Sequence, residues 1–264
     1  MLRIRGQGVH SVQRIIVLGS AAAVSSATRD NTSLAFESQK GLILLDCAGS
    51  PYQKLLRAGL NPERLQGVIL THAHPDHIYG LPSLIHHLIM TRRTTPLPVY
   101  ANRATLRVVK GILEIMRLEP DFLIFSEIPK EEGCTVIETE EYTIQTSPMR
   151  HVVPTLAVKI LARLSGASVV YSADTAPCPE LLALAKEADI LFQECSSVRD
   201  IQGHTAPWQA GKLAQWCDVK RLVLIHLGTS LAEEPRRALD EVRAYYKGEV
   251  EIAEDLSVYD LSIL

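Results

Sequence analysis

The stretch "THAHPDHIYG" (71–80) sets three histidines and an aspartate within six positions, directly behind the apolar run "GVIL" (67–70). A buried strand that ends in a crowd of imidazoles must open onto a polar site, because such groups are not left unpaired in a core. Neutral imidazole is the commonest metal donor and a carboxylate adds a hard, charged one, so a mixed cluster suits zinc or a similar divalent ion. His72 and His74, two apart, can point to the same side of a strand-end loop, and Asp76 and His77 follow at once. Four donors this close cannot all reach one ion in good tetrahedral geometry. The spacing therefore supplies two sites, His72 with His74 on one metal and Asp76 with His77 on a second.

Further ligands should also sit where strands end, since loops at strand ends carry sites on rigid scaffolds. His151 follows "YTIQTSPM", Asp174 ends "SVVYSAD", and His226 follows "RLVLI". An aspartate between two cations can bridge them with its two oxygens, the role assigned to Asp174. A hydroxide bridging the same pair would be the nucleophile, because metal coordination brings the pKa of water from about 15.7 to near 7. His204, in "QGHTAPWQAG", comes after "LFQEC", whose Glu194 ends a strand, and precedes a helix with Thr205 as its expected N-cap. A carboxylate that orients an imidazole near a metal centre makes a proton donor to a leaving oxygen. Asp76, Glu194 and His204 are accordingly the candidate catalytic residues. His86 and His87 fall in a helical pattern and His10 in a polar N-terminal stretch, and none is given a role.

Around this cluster the chain reads as short β-type runs at 14–20, 32–38, 40–47 and 67–70, with helical patterns at 51–60, 81–92 and 104–118. Strands are expected again at 122–128, 134–138, 142–149, 155–162 and 168–174. After them come helix 178–188, strand 189–194, helix 206–217, strand 221–227, helix 235–246 and a final strand near 249–261. Two mixed sheets packed face to face with helices on the outer faces, an α/β fold of the αββα sandwich type, is one arrangement that satisfies this order. No repeat, low-complexity tract or linker interrupts it, so residues 1–264 are expected to form a single domain.

A hydrophobic share of 47% against 22% charged is that of an ordinary globular chain. No stretch stays apolar for the roughly 18 residues of a membrane span, and "IIVLG" is shorter than the roughly 7 to 15 residues of a signal-peptide core. Five scattered cysteines (Cys47, Cys134, Cys178, Cys195, Cys217) with no CxxC pair argue against a disulfide framework and a cysteine zinc site, which fits the cytoplasm. A formal net charge of −3 gives no global pull on nucleic acid, so a polyanion would have to be held by a local patch.

Almost from end to end, these residues resemble the metallo-β-lactamase fold superfamily, and within it the ribonuclease Z family of tRNA 3′-processing endonucleases. "VLGSAAAV…NTSLAF…LLDCAGSPYQKLLRAGLNPERLQGVILTHAHPDHIYGLP" is similar to that family's opening, and "YSADTAPCPELLALAKEADILFQECSS" to its segment around the bridging aspartate. "GHTAPWQAGKLAQWCDVKRLVLIHLGTS" resembles the histidine-helix-histidine segment that follows. The resemblance implies the αββα sandwich and two zinc ions, or manganese. It implies His72, His74, His151 and Asp174 on one ion, with Asp76, His77, His226 and Asp174 on the other. It further implies Glu194 and His204 as proton-transfer partners at the scissile phosphate, precursor tRNA as substrate, and a homodimer.

The chain also departs from the ribonuclease Z pattern. "CAGSPYQ" (47–53) replaces a Gly-Glu-Gly-Thr-Gln run after Asp46, the acid-rich segment 117–151 runs through strands with no protruding tRNA-binding arm, and "LGTS" (227–230) replaces a serine-rich run. Arg92, Arg93, Arg150 and Lys212 are the basic residues left to hold a phosphate. The expected activity is phosphodiester cleavage by a dinuclear-zinc hydrolase, on precursor tRNA, another RNA or a small cyclic phosphodiester. Thioester and lactone hydrolysis is the alternative, and it is disfavoured because relatives of that type carry Gly-His-Thr-Pro-Gly before the bridging aspartate, whereas "GHTAP" here comes after Asp174. His74, where diiron relatives have glutamate, favours zinc over iron. A non-catalytic nucleic-acid-binding module would show eroded ligands and a basic face, and neither is present.

Overall fold

The computed structural model describes residues 12–199 and 201–263, so His10 lies outside the described residues. The chain opens with strands β1 (Arg14–Gly19), β2 (Ser33–Glu37) and β3 (Leu42–Leu45), then helix α1 (Pro51–Arg57) and β4 (Leu65–Leu70). Helices α2 (Pro75–Ile78) and α3 (Leu81–Met90), strand β5 (Leu97–Ala101), helix α4 (Arg103–Ile115) and strand β6 (Leu123–Glu127) follow. A run of strands comes next: β7 (Cys134–Glu138), β8 (Tyr142–Met149), β9 (Thr155–Ala162) and β10 (Ser168–Tyr171). The chain then alternates through α5 (Pro179–Ala185), β11 (Ile190–Glu194), α6 (Pro207–Trp216), β12 (Arg221–Ile225), α7 (Thr229–Glu233) and α8 (Pro235–Arg243), and ends on β13 (Glu249–Ile252) and β14 (Val258–Asp260).

The strands form two seven-stranded sheets, β14-β1-β2-β3-β4-β5-β6 and β13-β12-β11-β10-β9-β8-β7. Both are mixed, parallel where helices cross over (β3 to β6, and β10 to β13) and antiparallel elsewhere. Side-chain alternation explains why the strands read as continuous apolar runs. Ile15 and Val17 face the layer between the sheets while Ile16 and Leu18 face outward against the helices, and Val223 and Ile225 alternate with Leu222 and Leu224 in the same way. Phe36 meets Tyr142 edge-on at 5.0 Å across the sheets. Each such fully buried side chain contributes about 1.5–3 kcal/mol of transfer free energy. With α1, α3 and α4 packed on one sheet and α5, α6 and α8 on the other, the architecture is the expected αββα sandwich.

Several local expectations need correction. From the sequence no element is expected at 97–101, yet β5 forms there and pairs on both sides in the first sheet although it contains Pro98. The final strand near 249–261 is two strands in different sheets, since Leu256 turns at φ 70° and redirects the chain from β13 to β14. Strand β10 stops at Tyr171, short of Asp174, because Ala173 takes φ 50°. Thr205 does not cap α6: Ala206 holds that position, with its N–H donated to Gln209 Oε1, while the Thr205 hydroxyl donates to Thr175 O at 2.7 Å.

Candidate metal centre

The carboxyl ends of β3, β4, β10, β11 and β12 open on one side of the sandwich, where open α/β sheets place their crevices. Three non-glycine residues there have left-handed backbones: Asp46 (φ 59°), Ala173 (φ 50°) and His226 (φ 54°). This conformation costs of order 1–3 kcal/mol each and persists where the surroundings impose it. Here it turns the chain out of the strand so that functional side chains point into the crevice.

After β4, Pro75 starts the short α2 with His74 as its N-cap residue, so His72, His74, Asp76 and His77 fan around one point. In a first set, His74 Nδ1 lies 3.1 Å from His72 Nε2 and 3.2 Å from His151 Nε2. Asp174 Oδ2 lies 3.6 and 3.7 Å from the His72 and His151 nitrogens. In a second set, His77 Nε2 and His226 Nε2 are 3.2 Å apart, Asp76 Oδ2 lies 3.3 Å from His226, and Asp174 Oδ1 lies 3.4 and 3.3 Å from the two imidazoles. Around an ion with bonds of about 2.0–2.1 Å, a tetrahedral edge is roughly 3.3–3.4 Å. Asp174 Oδ1 is buried without a hydrogen-bond partner, and pairs of imidazole nitrogens face each other across each set. Groups so placed are satisfied by a cation better than by one another, so the residues fit a divalent metal ion.

Outer contacts fix the imidazoles. His77 Nδ1 is 2.8 Å from Asp46 Oδ2, His151 Nδ1 is 2.7 Å from Gly203 O, and His72 Nδ1 is 3.0 Å from Thr71 Oγ1. Asp46, fully buried, also accepts from Thr71 N at 2.8 Å and from the Tyr171 hydroxyl at 2.9 Å. Burial pushes the Asp174 carboxyl up, but the imidazoles of His226, His77 and His72 outweigh it and hold it well below the usual carboxylate range. Burial, with the neighbouring His77, drives His72 well below the ordinary histidine value, and burial lowers His74 and His151 as well. These three are therefore neutral, the state in which imidazole binds metal.

Beside both sets, His204 Nδ1 bonds Glu194 Oε1 at 3.0 Å. Glu194 is fully buried and held by the N–H groups of Thr175, Thr205 and Ser196. Burial pushes the His204 imidazolium down, but its hydrogen bond to Glu194 and the nearby carboxylates outweigh this and raise it. Its ring stands 4.9 Å from that of His151 and 6.2 Å from that of His226.

The structure thus brings all nine candidate residues of the sequence into one crevice. It turns two of the proposed phosphate-holding bases, Arg93 and Lys212, to other tasks. Arg93 turns inward, donating to the carbonyls of Thr95, Leu65 and Pro96, and Lys212 lies over the Trp208 and Tyr245 rings on the outer helices. Arg92 and Arg150 are exposed. His86 is exposed, and His87 stacks on Tyr52 at 4.8 Å. The positioning roles of Asp46, Thr71, Tyr171 and Gly203 were missed; the one sequence signal was an acid closing the apolar run "LILLD" (42–46).

Comparison with known proteins agrees with this geometry. A family model described as "Beta-lactamase superfamily domain" matches residues 42–227. The chain is 26% identical over 270 residues to a ribonuclease Z of Methanothermobacter thermautotrophicus, an alignment covering 83% of this chain and 87% of that protein. Among solved structures, the metallo-beta-lactamase fold protein YhfI from Bacillus subtilis superimposes with a TM-score of 0.82 at 23% identity, covering 95% of this chain and 99% of that one. The short form of human tRNase Z superimposes with a TM-score of 0.75 at 22% identity, covering 94% and 99%. Both share the fold. Among the described residues, no helix is long and apolar enough to cross a membrane.

Proposed function

Because this chain belongs to the beta-lactamase superfamily, we propose that it is a metal-dependent phosphodiesterase of the ribonuclease Z type, with precursor tRNA as substrate. The observation that carries the reading is Asp174, one buried carboxylate whose two oxygens serve two separate groups of imidazoles. One divalent ion, zinc or manganese, would be held by His72, His74, His151 and Asp174, and a second by Asp76, His77, His226 and Asp174. Such ions supply Lewis-acid charge for phosphoryl oxygens and lower the pKa of water toward about 7.

The protein's own groups do the remaining work. Asp46 accepts a hydrogen bond from the Nδ1–H of His77, and the Gly203 carbonyl accepts one from that of His151, which leaves each Nε2 bare toward the crevice. Glu194 fixes His204 through Nδ1, so that Nε2 is the nitrogen free to hand a proton to the leaving oxygen. Likeness to proteins named ribonuclease Z supports an RNA substrate. The five cysteines, all free thiols, support a cytoplasmic setting, and a homodimer is the assembly the family resemblance favours. Purified protein with zinc or manganese should cleave a precursor tRNA carrying a 3′ trailer and hydrolyse bis(p-nitrophenyl) phosphate. Asp174→Ala should abolish both; full turnover by that variant, with its metals retained, would overturn the reading.

A further inference from the structure

His151 also lines a cleft of about 480 Å³, and the other residues of that lining lie outside the two ligand sets. Its walls come from three separate places: the start of α4 (Asn102, Arg103), the β6–β7 connection (Lys130), and the β8–β9 region (Met149, Val152, Pro154). The walls are tied together rather than loosely apposed. Asn102, itself nearly buried, donates from Nδ2 to Pro154 O at 2.9 Å while its Oδ1 accepts the Thr105 N–H, so the α4 wall is fixed to the wall that carries His151.

The lining is of two kinds. Arg103 and Lys130 are exposed cations on opposite segments, and among the described residues neither is in an ion pair, although Glu127 also borders the cleft. Met149, Val152 and Pro154 add an apolar surface to the same cleft. A bare phosphate would use the cations and leave the apolar wall wet, whereas an apolar ligand would leave the cations idle. A ligand with one anionic group and one flat, weakly polar ring system uses both. The volume suits a single drug-sized unit and excludes a double helix.

On the reading that the chain is a phosphodiesterase, we propose that this cleft is the subsite for one nucleotide adjoining the scissile phosphate, with Arg103 and Lys130 on its phosphate and Met149, Val152 and Pro154 against its base. The cleft thereby confers preference for nucleotide diesters over simple ones.

Calorimetric titration of the zinc-loaded protein with adenosine 5′-monophosphate and, separately, inorganic phosphate tests this. The parent should bind the nucleotide at least tenfold more tightly than phosphate. Arg103→Ala with Lys130→Ala should weaken the nucleotide at least tenfold and weaken phosphate with it, whereas Val152→Asn should weaken the nucleotide at least tenfold and leave phosphate affinity unchanged. Equal affinity of the parent for the two probes, or variants that bind the nucleotide as the parent does, would overturn the subsite. Turnover of bis(p-nitrophenyl) phosphate by the parent reports on the broader reading separately: nucleotide binding with this pattern but no hydrolysis would sink the phosphodiesterase and keep the cleft.

Discussion

Replacing Asp46 by Asn exchanges one buried carboxylate oxygen for an amino group and leaves the packing volume almost untouched. In the parent, Oδ1 accepts from Thr71 N at 2.8 Å, and Oδ2 accepts from the Tyr171 hydroxyl at 2.9 Å and from His77 Nδ1 at 2.8 Å. The amide can sit in two ways. With its oxygen toward Thr71, its NH₂ faces His77, whose Nδ1 must then accept; the imidazole proton moves to Nε2, the nitrogen that faces His226 and Asp174. With its oxygen toward His77, the NH₂ opposes the Thr71 N–H, donor against donor, at a cost of about 1–3 kcal/mol for a buried unsatisfied group. The first arrangement avoids that clash of donors, and its loss falls on the second set of ligands through His77. Changes to such outer contacts cost about 10–100-fold in metal affinity. Zinc titration against a chromophoric chelator should therefore show one site weakened by that factor in Asp46→Asn, while the site of His72, His74 and His151 keeps its parent affinity. Two sites at parent affinity would refute the claim that Asp46 sets the tautomer of His77.

Other perturbations follow from the same geometry. His204→Ala should keep its metal content but lose about 10²–10⁴ in rate on a substrate with a poor leaving group, with little change on a p-nitrophenyl ester, as steady-state kinetics on both would reveal. Gly203→Ala should lose affinity at the first set, because the backbone there has φ 84° and an added Cβ would stand 2.9 Å from His151 Nδ1; metal analysis of the purified variant checks this. Lys54, buried with its ammonium 3.2 Å from Asp30 and 3.1 Å from Asn31 O, should cost about 1–2 kcal/mol in urea unfolding when changed to Ala, since Asn31 O and the half-buried Asp30 lose their donor. Asp189 accepts from Ser168 N at 2.7 Å and pairs with Lys220; burial raises its carboxyl, but Lys220 and Ser168 outweigh this and hold it below its usual value. Its contribution is thus present above the unfolded carboxylate pKa and is lost as pH falls through the lower folded one. The stability gap between parent and Asp189→Asn, about 1–2 kcal/mol at pH 7, should close toward pH 3 and below, and a gap independent of pH would contradict the ionic role.

Much of the fold was legible because its strands are buried on both faces and its crossover helices carry apolar residues at helical spacing, as at Leu106, Val109 and Leu113 of α4. The site was legible where it is local. Four of its residues lie between 72 and 77, and the others stand at or just beyond the ends of apolar runs. What escaped depends on contacts between distant segments. Nothing in the sequence around Asp46 announces that Tyr171, 125 positions away, donates to it, or that the Gly203 carbonyl holds His151. Arg93 reads as a surface cation, yet its guanidinium binds carbonyls around the ends of β4 and β5. Pro98 weakens the strand signal of β5, and the single apolar pattern near 249–261 hid a change of sheet at Leu256. Arg103 and Lys130 lie 27 positions apart, and only the pairing of β5 with β6 brings their segments to one cleft.

The most direct test of the central claim is to strip the protein of metal, add zinc back in measured equivalents, and follow bis(p-nitrophenyl) phosphate hydrolysis in the parent and in Asp174→Ala. The account predicts no rate without metal, a rise that saturates only when the second equivalent is bound, and no rise in the variant. A full rate in stripped protein, or a variant that recovers parent activity with zinc, would contradict it.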